Sequence, residues 1–259
     1  MLSGAFQQRL KTYGARGNPA MHVKQITLHP EKYPTRHSYP FNLPLFHEAR
    51  QIKLDSAVTL FVGENGTGKS TLLEAMAAAC HIHIWRNTER SRPEYNPYEG
   101  MLSKYISVEW TDGRVAGSFF GSNIFQHFAE LLDEWAAADR GQLNYFGGQS
   151  LTTQSHGQSL MSFFHSRYQI KGLYLLDEPE TGLSPRSQIE LLDIVKKMGA
   201  AGHAQFIIAT HSPLLLACPG ARIYNFDQRQ IQPVSYEETD HYRIYKSFLS
   251  DRSKYLPPD

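Results

Sequence analysis

Three runs along the chain are almost unbroken apolar sequence, and each stops abruptly at glycine or polar residues. Ala57-Val58-Thr59-Leu60-Phe61-Val62 ends at Gly63, Gly172-Leu173-Tyr174-Leu175-Leu176 ends at Asp177-Glu178, and Ile207-Ile208-Ala209 ends at Thr210-His211. Strands covered on both faces read this way, so the pattern predicts a mostly parallel core sheet with helices on both sides, an α/β fold. Further strands are expected at His22–Leu28 and Ile52–Leu54. Strong helix formers fill Thr71–Ala79, and Ile124, Phe125, Phe128, Leu131, Leu132 and Trp135 recur at helical spacing between Ile124 and Ala138 as a core-facing stripe. From Tyr236 to Leu249 apolar and aromatic residues follow acids that suit a helix N-terminus, which predicts a closing helix. Tyr105–Trp110 and Val115–Phe120 flank an Asp112-Gly113 pair, a hairpin signal. Pro30, Pro34, Pro40 and Pro44 predict a surface loop over residues 29–50.

Chemistry enters where the apolar runs end. Gly63-Glu64-Asn65-Gly66-Thr67-Gly68-Lys69-Ser70, followed by Thr71, spells G-x-x-x-x-G-K-S between a predicted strand and a predicted helix, the context of a phosphate-binding P-loop. Its glycines let backbone N–H groups converge on one anion, Lys69 reaches the β- and γ-phosphates, and the Ser70 hydroxyl can ligate Mg²⁺. The following helix adds its N-terminal dipole to the site. At the end of the second run, Asp177 can reach the Mg²⁺ shell while Glu178 faces the attacking water.

Asp177-Glu178-Pro179 with Glu180-Thr181-Gly182-Leu183-Ser184-Pro185 resembles the Walker B motif and D-loop of ABC-class ATPases. Ser155-His156-Gly157-Gln158-Ser159, about twenty residues upstream of Asp177, resembles that family's signature, and Ile207–Pro213 its strand ending in a switch histidine, His211. The resemblance runs from about Met21 to the C-terminus. It implies a P-loop NTPase fold of the ABC-type ATPase head, a single domain over 21–259 with an antiparallel β portion, and a helical subdomain carrying the signature within about 86–165. It also implies ATP and Mg²⁺, with Gly63 to Thr71 on the phosphates, Ser70 and Asp177 on the metal, and Lys69, Glu178 and His211 in catalysis. Two heads would form a homodimer with ATP at the interface, each supplying Ser155, Gly157 and Gln158 to its partner's nucleotide. The family's Q-loop amide falls on Asn123 or Gln126, neither in a clean match. Asn123 as a metal contact and Asn123 as a helix cap both stand, as do a catalytic and an exposed Gln126.

His156 replaces the usual signature glycine, and no basic pair follows. In this the chain resembles small members related to SMC, RecF and phage-defence ATPases, without room for a long coiled coil between Lys69 and Asp177. The expected function is an ATP-dependent dimerising switch or motor in DNA maintenance or anti-phage defence, with an effector or nuclease partner. The alternative is the nucleotide-binding subunit of an ABC membrane transporter.

Composition narrows the rest. The 259 residues, 41% hydrophobic, suffice for one large core, and a formal net charge of +1 gives no global pull toward DNA or anionic membrane. DNA contact would need a local patch; Arg86, Arg90 and Arg92 offer one, diluted by Glu89, Glu94 and Glu99. Cys80 and Cys218 lack metal spacing and read as buried thiols, which suits a cytoplasmic location, and no run is long enough to span a bilayer. Residues 1–20 read as a flexible extension, leaving Met1 or Met21 as the start. His81, His83 and His241 read as surface, capping or helix-end histidines rather than ligands.

Overall fold

Strands β3 (Val58–Val62) and β7 (Ala204–Ala209) are buried at every residue, and β6 (Gly172–Asp177) at all but its last. Their continuous apolar runs therefore lie at the centre of the molecule. In the computed structural model, which describes residues 21–85, 96–146 and 148–256, they join β5 (Gly117–Gly121), β8 (Arg222–Asn225) and β9 (Gln232–Val234). The resulting six-stranded sheet has the order β5-β6-β7-β3-β8-β9, parallel throughout except for the antiparallel β8–β9 edge.

Successive side chains of a strand point to opposite faces, and here each face has its own core. Leu60, Leu176 and Ile208 pack with Leu160 and Phe164 of α4 (His156–Arg167) and Leu191 and Val195 of α5 (Pro185–Ala200). Phe61, Leu175 and Ile207 pack instead with Leu72, Leu73 and Met76 of α2 (Lys69–Ala79), and with Val23, Ile26 and Ile52 of a second sheet. That second sheet is antiparallel and three-stranded, ordered β2 (Gln51–Lys53), β1 (Val23–Leu28), β4 (Ile106–Trp110). Gln205 ties the two sheets together. Its buried Oε1 accepts the backbone N–H groups of His22 and Val23 at 2.9 and 2.8 Å, and its Nε2 donates to Val23 O at 2.9 Å.

The predicted helix after β5 is α3 (Phe125–Ala138), with Phe125, Phe128 and Leu132 buried as its stripe requires. Both cysteines are buried and free, and burial pushes their thiols up to about 12 at Cys80 and about 11 at Cys218.

Three expectations are corrected. The Asp112-Gly113 hairpin does not form: β4 pairs with β1 and β5 pairs with β6, so residues 111–116 carry the chain between sheets. Long-range burial of Phe119 and Phe120 outweighs the local turn signal. Residues 29–50 are not simply a surface loop, because Phe41 and Phe46 are fully buried and Pro44–Glu48 form the short helix α1. Beyond the short helix α6 (Pro213–Leu216), the C-terminal helix α7 (Asp240–Ser250) forms but closes little, leaving Ile244, Tyr245 and Leu249 more than half exposed. The N-terminal extension and the arginines at 86, 90 and 92 lie outside the described residues.

Candidate nucleotide site

The turn from β3 into α2 requires glycine at Gly68, where φ is +101° and a Cβ would meet Phe46 Cζ at 2.9 Å. The loop thus wraps against α1 while its α2 end presents free N–H groups outward. Lys69 folds back over this loop, its Nζ donating to Gly63 O at 2.6 Å and Glu64 O at 2.8 Å. Burial holds its pKa below the usual lysine value, opposed by the nearby carboxylates of Asp227, Glu178, Asp177 and Glu64. A cation screened only by surrounding acids and carbonyls is primed to exchange them for a polyanion.

β6 delivers its last residue to the same place. Ser70 Oγ donates to Asp177 Oδ1 at 2.9 Å, so a hydroxyl and a carboxylate oxygen stand side by side. Burial raises the Asp177 pKa to about 7, the strongest perturbation at the site, with Glu178 and Glu74 adding to it. Hard oxygen donors of this kind, on a carboxylate that gains from a nearby cation, fit Mg²⁺. Glu178 follows at φ +48°, a left-handed conformation that a non-glycine residue adopts at a cost of about 1–3 kcal/mol.

From β7 the switch segment brings His211 alongside. Its Nε2 is buried, has no hydrogen-bond partner among the described residues, and lies 3.8 Å from Glu178 Oε1. Its backbone N–H donates to Glu180 Oε1 at 2.6 Å, tying the switch segment to the loop after β6. A second tie runs from Ser212 Oγ to Gln188 Oε1 at 2.7 Å. Burial lowers the His211 pKa, and the neighbouring Lys69 and His241 lower it further. Lys69, Ser70, Asp177, Glu178 and His211 therefore converge on one loop.

The signature residues stand apart from that cluster. Ser155 is exposed at the N-terminus of α4, and its N–H and Oγ both donate to Gln158 Oε1, at 3.2 and 2.9 Å. Gly157 lies against the Gly182 carbonyl, 3.4 Å from where its Cβ would be. His156 packs on Gly182, where φ is +82° and a Cβ would fall 2.4 Å from the imidazole Cδ2. Asn123 is exposed just beyond Gly121, the register partner of Asp177. Gln126 is turned to its own helix, with Nε2 donating to Glu130 Oε1 at 3.1 Å.

Three residues at the site had no motif to announce them. Asp227 Oδ1 accepts the Glu64 N–H at 2.6 Å, across the mouth of the loop. The Tyr39 hydroxyl bonds Thr71 Oγ1 in the first turn of α2 while its side chain stays 45% exposed. His241, expected to be a surface or capping residue, instead faces His211, with its Nε2 3.2 Å from His211 Nδ1.

A P-loop at the edge of a parallel sheet, a paired carboxylate strand beside it, a histidine at the end of the next strand, and a separate antiparallel sheet form a P-loop site that resembles that of ABC-type ATPase heads. Sequence comparisons agree. Residues 159–217 match the family described as "AAA domain, putative AbiEii toxin, Type IV TA system", and residues 41–109 the family described as "AAA domain". The chain is 29% identical over 167 residues to the hemin import ATP-binding protein HmuV of Bradyrhizobium diazoefficiens, a match spanning 57% of this chain and 61% of that protein. It is 26% identical over 170 residues to the thiamine import ATP-binding protein ThiQ of a Ruegeria species, spanning 59% of this chain and 69% of that one. Among solved structures, cbiO1 from Clostridium perfringens, part of the ABC transporter complex cbiONQ, aligns over 90% of this chain and 98% of its own with a TM-score of 0.47 and 16% identity. Among the described residues no helix is long and apolar enough to cross a membrane.

Proposed function

We propose that the chain hydrolyses ATP to ADP and phosphate at sites shared between two copies, and uses the cycle as a dimerising switch. The observation that carries this reading is the Ser70–Asp177 contact beside Lys69, with Glu178 and His211 Nε2, unpartnered among the described residues, beside it. Lys69 and the loop amides of Gly63 to Thr71 would hold the phosphates, and Ser70 and Asp177 would hold Mg²⁺, with Asn123 near enough in register to join them. The metal, when bound, neutralises charge on the β- and γ-phosphate oxygens. Glu178 takes the proton of the attacking water, and His211 donates from Nε2 to the γ-phosphate. Ser155, Gly157 and Gln158 act on the partner's nucleotide, since the exposed N-terminus of α4 has value for catalysis only when a phosphate is brought to it.

For the process, we favour a cytoplasmic ATPase of DNA maintenance or phage defence that drives an effector or nuclease. Two features support it: the His156-bearing signature, and the match of residues 159–217 to a family described by a toxin–antitoxin system. The names of the relatives above support a second reading, the nucleotide-binding subunit of an importer. Fractionation of cells separates the two, since a transporter subunit would sediment with membrane and the favoured switch would stay in the supernatant. For the chemistry, Glu178→Gln should bind Mg·ATP while hydrolysing it at least roughly a hundredfold more slowly. Wild-type turnover in that variant would remove Glu178 from the mechanism.

A further inference from the structure

We infer that His241 is a positioning residue for the switch histidine: its Nε2–H donates to His211 Nδ1 and so holds His211 in the tautomer that carries its proton on Nε2. The facing nitrogens are 3.2 Å apart, and the rings lie 5.4 Å apart between centroids. A neutral imidazole has one donor and one acceptor, so a hydrogen bond between two of them needs one of each. Burial lowers the pKa of both rings, which favours the neutral pair.

The direction of the bond follows from the other end of His211. Its Nε2 is buried, unpartnered among the described residues and 3.8 Å from a Glu178 carboxylate oxygen. A bare lone pair there would face oxygen lone pairs, whereas an N–H faces acceptors. With the proton on Nε2, Nδ1 is the acceptor and His241 must donate. Under the proposed function, the same N–H is the group His211 offers to the γ-phosphate.

His241 is the second residue of α7, and that end of the helix is the anchored one. Thr239 is 1% exposed, its Oγ1 donating to Tyr236 O at 2.7 Å and accepting the Tyr242 N–H at 3.2 Å. The rings of Tyr236 and Tyr242 pack 4.7 Å apart across the same turn. The geometry of the pair thus depends on a helix that starts about thirty residues beyond the switch.

The consequence for turnover rests on the ATPase reading, but the tautomer does not. Ring-nitrogen NMR on histidine-labelled protein without nucleotide should show His211 protonated on Nε2 in the wild type. In His241→Phe that preference should weaken, and in His241→Gln, whose amide reaches as far as the imidazole Nε2, it should return. Steady-state kinetics should show kcat reduced roughly 10- to 100-fold in His241→Phe, the usual scale for losing a residue that orients another, with KM little changed and recovery in His241→Gln. A wild-type His211 protonated on Nδ1, or a His211 signal and kcat both indifferent to residue 241, would overturn the inference. A wild type with no turnover, whose His211 signals still follow residue 241, would leave the positioning intact and fault the ATPase reading instead.

Discussion

At the scale of single residues, the site concentrates its electrostatics on Lys69 and Asp177. Removing the Lys69 ammonium leaves only backbone amides against a polyphosphate, so Lys69→Ala should abolish measurable Mg·ATP binding by calorimetry; unchanged affinity would remove the loop from the site. Asp177 makes a pH prediction. Its folded pKa of about 7 lies above the ordinary 3.8, so between about pH 4 and 7 the unfolded chain releases a proton that the folded protein keeps. This group's contribution to stability therefore falls across that window and stays low above it. Asparagine cannot titrate. Without nucleotide, the stability of Asp177→Asn relative to wild type should be greater at pH 8 than at pH 5 by about 1–3 kcal/mol in denaturant titrations, and an equal gap at both would refute the shift. Asp177 and Lys69 were legible because they sit in consecutive-residue patterns whose spacing is the chemistry. Asp227 and His241 were not. Asp227 meets Glu64 across 163 positions of sequence and His241 meets His211 across 30, so only folding shows which acid and which histidine arrive.

At the scale of elements, the sheet edge tests how α3 is attached. β5 leads directly into α3, and at its start a Cβ on Gly117 would lie 2.4 Å from Leu173 O and 2.5 Å from Ile82 Cδ1. Gly117→Ala should therefore push β5 off β6 and destabilise the protein by roughly 1–3 kcal/mol, the scale of overpacking. The melting temperature should fall by about 2–4 °C per kcal/mol for a domain of this size, and an unaltered melt would show that the edge gives way freely. The same strand explains a limit of the sequence pattern. Buried central strands and amphipathic α3 declare themselves by composition and period. The choice of partner for β5 does not, because Asp112-Gly113 offers a local turn that only the distant β6 can outbid. Nor does the pattern of α7 reveal that Ile244, Tyr245 and Leu249 remain exposed, since a helical apolar stripe looks alike whether or not anything covers it.

At the scale of the whole molecule, the proposed function divides catalysis between the cluster around Lys69 and Asp177 of one copy and the signature residues on α4 of the other. Ser155 and Gly157 sit on α4, whose N-terminus packs against the Gly182 loop and opens to solvent, apart from Lys69 and Asp177. A second copy related by a two-fold axis would bring its own α4 to this loop, and both nucleotides would then be enclosed. His156 bears on the coupling, since its ring is lodged on Gly182 in the loop that also carries Glu180 to the switch segment. The central claim is that ATP is held between two heads, and light scattering of Glu178→Gln tests it most directly. With Mg·ATP this variant should scatter light with a mass twice the chain's 29.5 kDa and return to one chain when the nucleotide is removed. A mass of a single chain at every protein concentration, with ATP demonstrably bound, would contradict the account.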